Sequence, residues 1–337
     1  MTSDPQTLFA ALDKTARDGG FSGVVSVDLG EQVHVAGHGL ADRRHQVPVR
    51  PGTRFAMASG SKAFTALAVQ CLVEDGVLSL DTTARSLLGA DLPLVDDAVT
   101  VRHLLEHTSG IGDYLDEEAL GDITEYVLRT PVHRLEETEA FVAELDGYPQ
   151  VSPPGERFAY NNGGYVLLAL LAERAARLPF HDLVQQRVLD PAGLTGTGFP
   201  RADQLPADVA IGYLHEHGSD RTNVLHLPVR GNGDGGACTT AADLSRFWRA
   251  FLEGRIVSES AVAEMTRPRV TVEDEGLRYG RGFWLDLDGP GVVLEGCDAG
   301  ASMRTRVDPR SGLVVSILSN TSEGAWPVIS RLQDELG

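Results

Sequence analysis

The chain has 337 residues, 42% of them hydrophobic and 23% charged, which suits a globular protein of one large domain or two lobes sharing a chain. A formal charge of −19 argues against a nucleic-acid partner, because phosphate binding needs a clustered basic surface. No stretch is apolar for the length of a membrane span and the first twenty residues lack the apolar run of a secretory signal, so the expectation is a cytoplasmic protein with no membrane partner.

The elements follow in order. Residues 5–18 place Leu8, Leu12 and Ala16 on one helical face, stopped by Gly19-Gly20. Phe21 to Leu29 and Gln32 to Leu40 are Val-rich alternating runs split by Gly30-Glu31, which predicts a β-hairpin. A helix near 60–74 carries Phe64, Leu67, Ala68, Cys71 and Leu72 at helical spacing. Helical patterns broken by Pro/Gly loops then occupy 101–107, 137–145, 163–177, 180–189 and 241–253. The acidic stretch 113–146 reads as surface, covering one side of a cleft. Strands are expected at Gly280–Leu287, Gly291–Gly296, Ser302–Val307 and Leu313–Ser319, and a closing helix at 326–336. The predicted architecture is therefore α/β (α+β). Residues 1–58 and 256–337 build an antiparallel sheet with terminal helices, and 59–255 form a mainly helical lobe inserted between them. Sites often form between such lobes.

Of the 29 Lys and Arg residues, only Lys14 and Lys62 are lysine. Arginine stays protonated, whereas an ammonium can release its proton, so a retained lysine is a candidate for chemistry. Ser59-Gly60-Ser61-Lys62 opens the helix near residue 60, and helical spacing sets Ser59 and Lys62 side by side. A serine hydroxyl needs a neighbouring base, which a lysine held neutral can supply, and a helix start offers N–H groups to an oxyanion. Taken alone, the pair also fits a capping serine and a solvated lysine. Tyr160-Asn161-Asn162 precedes an apolar helix; Tyr160 could relay a proton and Asn162 could orient Lys62 or bind a carbonyl, or both could be a loop tyrosine and a cap.

Other chemistry is weighed and set aside. The odd trio Cys71, Cys238 and Cys297 lacks CxxC spacing, which disfavours a disulfide framework or a thiolate zinc site. His103-Leu104-Leu105-Glu106-His107 spells an inverted zinc-protease pattern, but no obvious third ligand follows, so no metal is expected. Neither a Gly-x-Ser-x-Gly elbow nor a phosphate-binding Gly-rich loop before a lysine is present.

Five ordered segments change the weighting. Phe55–Lys62 resembles the nucleophile segment of the penicillin-binding-protein-like serine hydrolases, which include class C β-lactamases, D-alanyl-D-alanine carboxypeptidases, D-aminopeptidases and family VIII-type carboxylesterases. Val101–Gly110, Pro154–Asn162, Pro191–Phe199 and Gly235–Leu244 are similar to four further segments of that family, in the same order. The resemblance implies a β-lactamase-like fold, Ser59 as nucleophile, Lys62 and Tyr160 as proton carriers, and no cofactor. The family's third motif, Lys-Thr-Gly or His-x-Gly, cannot occur on the C-terminal strands, since the last histidine is His226 and the last lysine Lys62. Leu294-Glu295-Gly296 stands in its place, which would make the Cys297 N–H the second oxyanion donor and put an acidic Glu295 beside the cleft. The expectation is hydrolysis of a small ester or amide by an esterase or amidase. The alternatives are a β-lactamase or carboxypeptidase, an acyltransferase, and a non-catalytic binding protein of the same fold.

Overall fold

The computed structural model describes residues 4–116, 121–215 and 217–336. Helix α1 (Pro5–Asp18) starts where the Asp4 carboxylate accepts the Thr7 N–H at 3.1 Å and Pro5 needs no amide partner. Strands β1 (Gly23–Leu29) and β2 (Gln32–His38) form the expected hairpin, with Leu29 opposite Gln32. After the helical middle come β3 (Val270–Val272), β4 (Leu277–Tyr279), β5 (Trp284–Asp286), β6 (Val292–Asp298), β7 (Ala301–Val307) and β8 (Val314–Ser319). They join one antiparallel sheet in the order β2-β1-β8-β7-β6-β5-β4-β3, so both chain ends supply neighbouring central strands.

Each face of the sheet is covered. Val25 and Val27 of β1, with Val315 and Ile317 of β8, pack against Leu8, Leu12 and Ala16 of α1 and Val328, Ile329 and Leu332 of the closing helix. The opposite face, Val24, Leu294, Met303 and Leu318, joins a larger core with Phe64 and Leu67 of α2 (Lys62–Glu74). The same core includes Leu168 of α3 (Asn162–Ala176) and Phe247, Trp248 and Phe251 of α4 (Ala241–Leu252). The Trp248 indole N–H donates to Thr305 Oγ1 at 2.9 Å, so its one polar atom is paired where α4 crosses the sheet. The closing helix, α5 (Trp326–Leu336), completes the fold.

Several boundaries differ from the sequence reading. The strand expected over Gly280–Leu287 is shortened to Trp284–Asp286. Gly280 lies so close to the Met265 carbonyl that a methyl group there would be 2.2 Å from its oxygen, and Gly282 takes φ +81°, which bends the chain. The hairpin Val270–Tyr279 escaped notice because strands of three residues are too short to show alternation. Residues 137–145 are a 3₁₀ turn, Thr138–Phe141, followed by one α-helical turn, Val142–Leu145. Residues 117–120 of the acidic stretch lie outside the described residues. Within the rest of it, Glu144 is buried instead of facing solvent, its carboxylate accepting the amides of Arg129 and Thr130 at 3.0 and 2.7 Å.

Candidate active site

Ser59 sits in a 3₁₀ turn, Ala58–Ser61, that runs directly into α2, and not in the α-helix itself. In 3₁₀ geometry residues i and i+3 eclipse, which stacks Ser59 under Lys62 more closely than an α-turn would. Ala58 holds φ +44°, a left-handed conformation that costs a non-glycine residue about 1 kcal/mol or more. The turn is anchored by Gly60 N–H to Met57 O at 2.9 Å and by Ala237 N–H to Ser61 Oγ at 3.1 Å.

Lys62 is 3% exposed, and the neighbours of its Nζ include Ser59 Oγ at 2.8 Å, Asn162 Oδ1 at 2.7 Å and the Asp234 carbonyl at 2.9 Å. An ammonium satisfies all three as donor. A neutral amine has two N–H bonds and one lone pair. Asn162 and Asp234 can accept only, so they take both hydrogens and leave the lone pair aimed at the Ser59 hydroxyl. The same arrangement therefore suits Lys62 before and after proton transfer. Nζ also lies 4.9 Å from the Tyr160 ring centroid, and that ring is held between His107, at 4.4 Å, and Trp284, at 6.0 Å.

Strand β6 closes the other side. It pairs with β5 at Val292 and Val293, and beyond them its edge runs along the nucleophile turn. A methyl group on Gly296 would lie 2.3 Å from the Met57 carbonyl oxygen and 2.7 Å from the Ser59 nitrogen, so only glycine permits this approach. Glu295 lines the small pocket that holds Ser59, Gly60, Lys62, Tyr160 and Trp284. Its carboxylate is not a lone charge, however, because it is ion-paired with Arg304, its directly opposite neighbour on β7. Cys297 follows on the same strand, its thiol 3.5 Å from the Ser322 carbonyl and facing a separate surface depression with His215 and His217.

Three contributors were missed in the sequence. Asp113 accepts the backbone N–H of Asn162 at 2.6 Å and of Gly163 at 2.8 Å, fixing the start of α3 and with it the Asn162 side chain that holds Lys62. Burial pushes its carboxyl up to about 7, against the pull of the amides that donate to it. Asp234 acts through its main-chain carbonyl, which no side-chain motif could announce; the glycine-dense run Gly231–Gly236 was the available signal. His107, weighed as a zinc ligand, is instead packed among Phe158, Tyr160, Tyr165 and Tyr279. Its Nδ1 accepts the Asn161 N–H at 3.1 Å, and burial together with the Lys62 charge holds its pKa well below the ordinary value, so the imidazole is neutral. His103 Nδ1 is engaged elsewhere, accepting the Thr100 N–H at 3.3 Å.

Residues 7–335 match the family model described as Beta-lactamase. Penicillin-binding protein 4* of Bacillus subtilis is 28% identical over 295 residues, covering 83% of this chain and 62% of that protein, so the chain spans less than two thirds of that curated relative. Esterase EstB of Burkholderia gladioli is 33% identical over 223 residues, 61% of this chain and 54% of that protein. The crystal structure of a penicillin-binding protein from Bacillus halodurans superposes with a TM-score of 0.89 at 36% identity, covering 96% of this chain and 99% of that one.

Proposed function

The chain belongs to the beta-lactamase family, and from that premise we propose that it hydrolyses a small ester or amide through an acyl-enzyme on Ser59. The observation that carries this reading is the Lys62 amine, 2.8 Å from Ser59 Oγ and donating to the Asn162 and Asp234 oxygens, which can only accept. Neutral Lys62 takes the Ser59 proton as Oγ bonds to the substrate carbonyl carbon, and the carbonyl electron pair moves onto oxygen. The backbone N–H groups of Ser59 and Cys297 receive that oxyanion, brought together by the close approach at Gly296. Lys62, with Tyr160 beside it, returns the proton to the leaving oxygen or nitrogen as the carbonyl re-forms. Water then attacks the acyl carbon of the ester on Ser59 as the same base accepts its proton; collapse breaks the Oγ–carbon bond, releases the carboxylic acid and returns the proton to Ser59 Oγ.

Leu294 occupies the place of the family's basic third-motif residue, and Glu295 neutralises the nearby Arg304. Recognition of a substrate carboxylate therefore lacks a dedicated cation there, which favours an esterase or amidase over a β-lactamase or carboxypeptidase. Steady-state hydrolysis of p-nitrophenyl butyrate by wild type and Ser59→Ala tests the reading. Turnover should fall by about three orders of magnitude or more in the variant, as for other nucleophile deletions. Retention of wild-type turnover by Ser59→Ala would remove the mechanism.

A further inference from the structure

A second pocket adjoins the nucleophile turn and takes no part in the proton chemistry above. Its wall nearest Ser59 is the run Asn232–Gly236, whose Asp234 carbonyl holds Lys62 and whose Gly235 approaches the Ala58 carbonyl. Asp298, one residue beyond Cys297 at the end of β6, closes another side. The remaining lining is mostly apolar and includes Leu115, Leu128, Leu205, Val209, Leu227 and Val229.

The polar groups of this pocket have one sign. Among the described residues that line it there are two carboxylates, Asp234 and Asp298, and no Lys, Arg or His. Each carboxylate accepts from a tyrosine hydroxyl that also lines the pocket: Tyr114 to Asp234 at 2.5 Å and Tyr126 to Asp298 at 3.1 Å. Burial raises the Asp234 carboxyl pKa, with Lys62 and Tyr114 opposing the rise, so the ionised group is poorly solvated where it stands.

The wall itself is closely packed and hydrogen-bonded from behind. Between Gly231 and Gly236 the only side chains are those of Asn232 and Asp234. The glycines let the backbone lie flat: a methyl group on Gly233 would be 2.1 Å from the Tyr165 carbonyl oxygen. His181 bonds the Gly231 carbonyl at 2.8 Å and Thr65 the Gly233 carbonyl at 2.6 Å. Asn232 is 1% exposed, its Oδ1 accepts the Gly233 N–H at 2.7 Å, and its Nδ2 has no hydrogen-bond partner.

We propose that this pocket is the acyl-side subsite and takes an apolar acyl group bearing a protonated amine, the ammonium facing Asp234. The assignment as acyl side rests on the hydrolase reading; the pocket's preference for an apolar ammonium does not. Asp298 adds a second negative charge from another wall, and the aliphatic lining desolvates the hydrocarbon part. An ammonium gains more from a poorly solvated carboxylate than a neutral group of the same shape does.

Calorimetric titration of the full chain with 2-phenylethylamine and with 2-phenylethanol tests the pocket without any turnover. The ammonium should bind at least about tenfold more tightly, a difference of about 1.4 kcal/mol. Asp234→Asn should erase that ratio, and Ala202→Phe, which fills the pocket wall away from Lys62, should weaken both ligands. Equal affinities in wild type, or a ratio unchanged in Asp234→Asn, would overturn the proposal; the wild-type comparison decides even if the Asp234 variant does not fold. A parallel comparison of kcat/KM for the p-nitroanilides of phenylalanine and of 3-phenylpropanoic acid places the site relative to Ser59. Preferred binding of the amine by a protein whose Ser59 is inert would sink the hydrolase reading and leave the cation pocket standing. Turnover of both anilides at equal kcat/KM would do the reverse.

Discussion

The sheet face under the two terminal helices and the place where the β6 edge meets the nucleophile turn are built on opposite principles. The face under α1 and α5 is aliphatic side chain against aliphatic side chain, with Leu12, Val25, Ile317 and Ile329 among its buried members. The side that meets the nucleophile turn depends on missing side chains and on main-chain polar groups: Gly296 against Ser59, Gly233 against α3, the Asp234 carbonyl on Lys62. Aliphatic packing tolerates substitutions of similar volume and contributes stability in proportion to area. Close backbone approach tolerates almost nothing, because a single methyl group has nowhere to go. Packing of the first kind, here and in the larger core of the opposite face, holds the protein together, while the backbone approach at the turn fixes atoms where the chemistry needs it.

Substitutions should separate these roles. The largest effect is expected at Lys62→Arg, which keeps the charge but cannot offer a neutral amine at working pH. The protein should fold, and kcat/KM for a neutral ester should fall by about 100-fold or more, the range of general-base catalysis. Wild-type rates across neutral pH in that variant would reduce Lys62 to a structural cation. Gly296→Ala comes next. The added methyl must push β6 away from Met57 and Ser59, and a displacement on the order of 1 Å should cost about 100-fold in kcat/KM. Activity and a crystal structure of that variant, with the β6 edge unmoved and the rate intact, would refute the close-approach argument.

Leu12→Ala probes the face under the terminal helices. Denaturant titration should show a loss of about 2–5 kcal/mol, as for other buried leucines. Below its lowered melting point the variant should keep wild-type kcat/KM. A catalytic loss as large as that of Gly296→Ala would mean that the two regions are coupled.

The smallest effect is a pH dependence at Asp113. Its folded-state carboxyl is raised to about 7 by burial, above the unfolded value near 3.8. The folded state therefore binds this proton more tightly. The contribution to stability is fully present below the unfolded pKa and is lost as pH rises through the folded one. Urea titrations of wild type and Asp113→Asn across pH 4 to 8 should show the stability advantage of wild type shrinking as pH rises. An advantage that grows over that window would place the Asp113 pKa below its ordinary value and reverse the assignment.

How far the sequence foretold this molecule depends on the range of the interaction. The α1 stripe of Leu8, Leu12 and Ala16 and the β1–β2 hairpin declare themselves by local period, and the 59–62 spacing holds in the 3₁₀ turn because residues three apart still coincide. The helical middle and a sheet built from both chain ends were read from the pattern of elements, but the strand order was not, because pairing between distant strands leaves no local period. Asp113, Asp234 and the His107 cage were not legible, because each acts across a gap in sequence on a group that carries no motif: Asp113 on the Asn162 amide, Asp234 through its own carbonyl, His107 through stacked rings. The Glu295–Arg304 pair was within reach. The hairpin of β6 and β7 sets those two residues opposite each other, so the register that placed Glu295 beside the cleft also placed its counter-ion.

The most direct test of the central claim is the intact mass of the protein after brief exposure to a fluorophosphonate probe and, separately, to an activated ester quenched in acid. Wild type should gain the mass of one phosphonyl or one acyl group, with peptide mapping placing it on Ser59, and Ser59→Ala should gain neither. An adduct on Ser61 or elsewhere, or the same adduct in Ser59→Ala, would contradict the account.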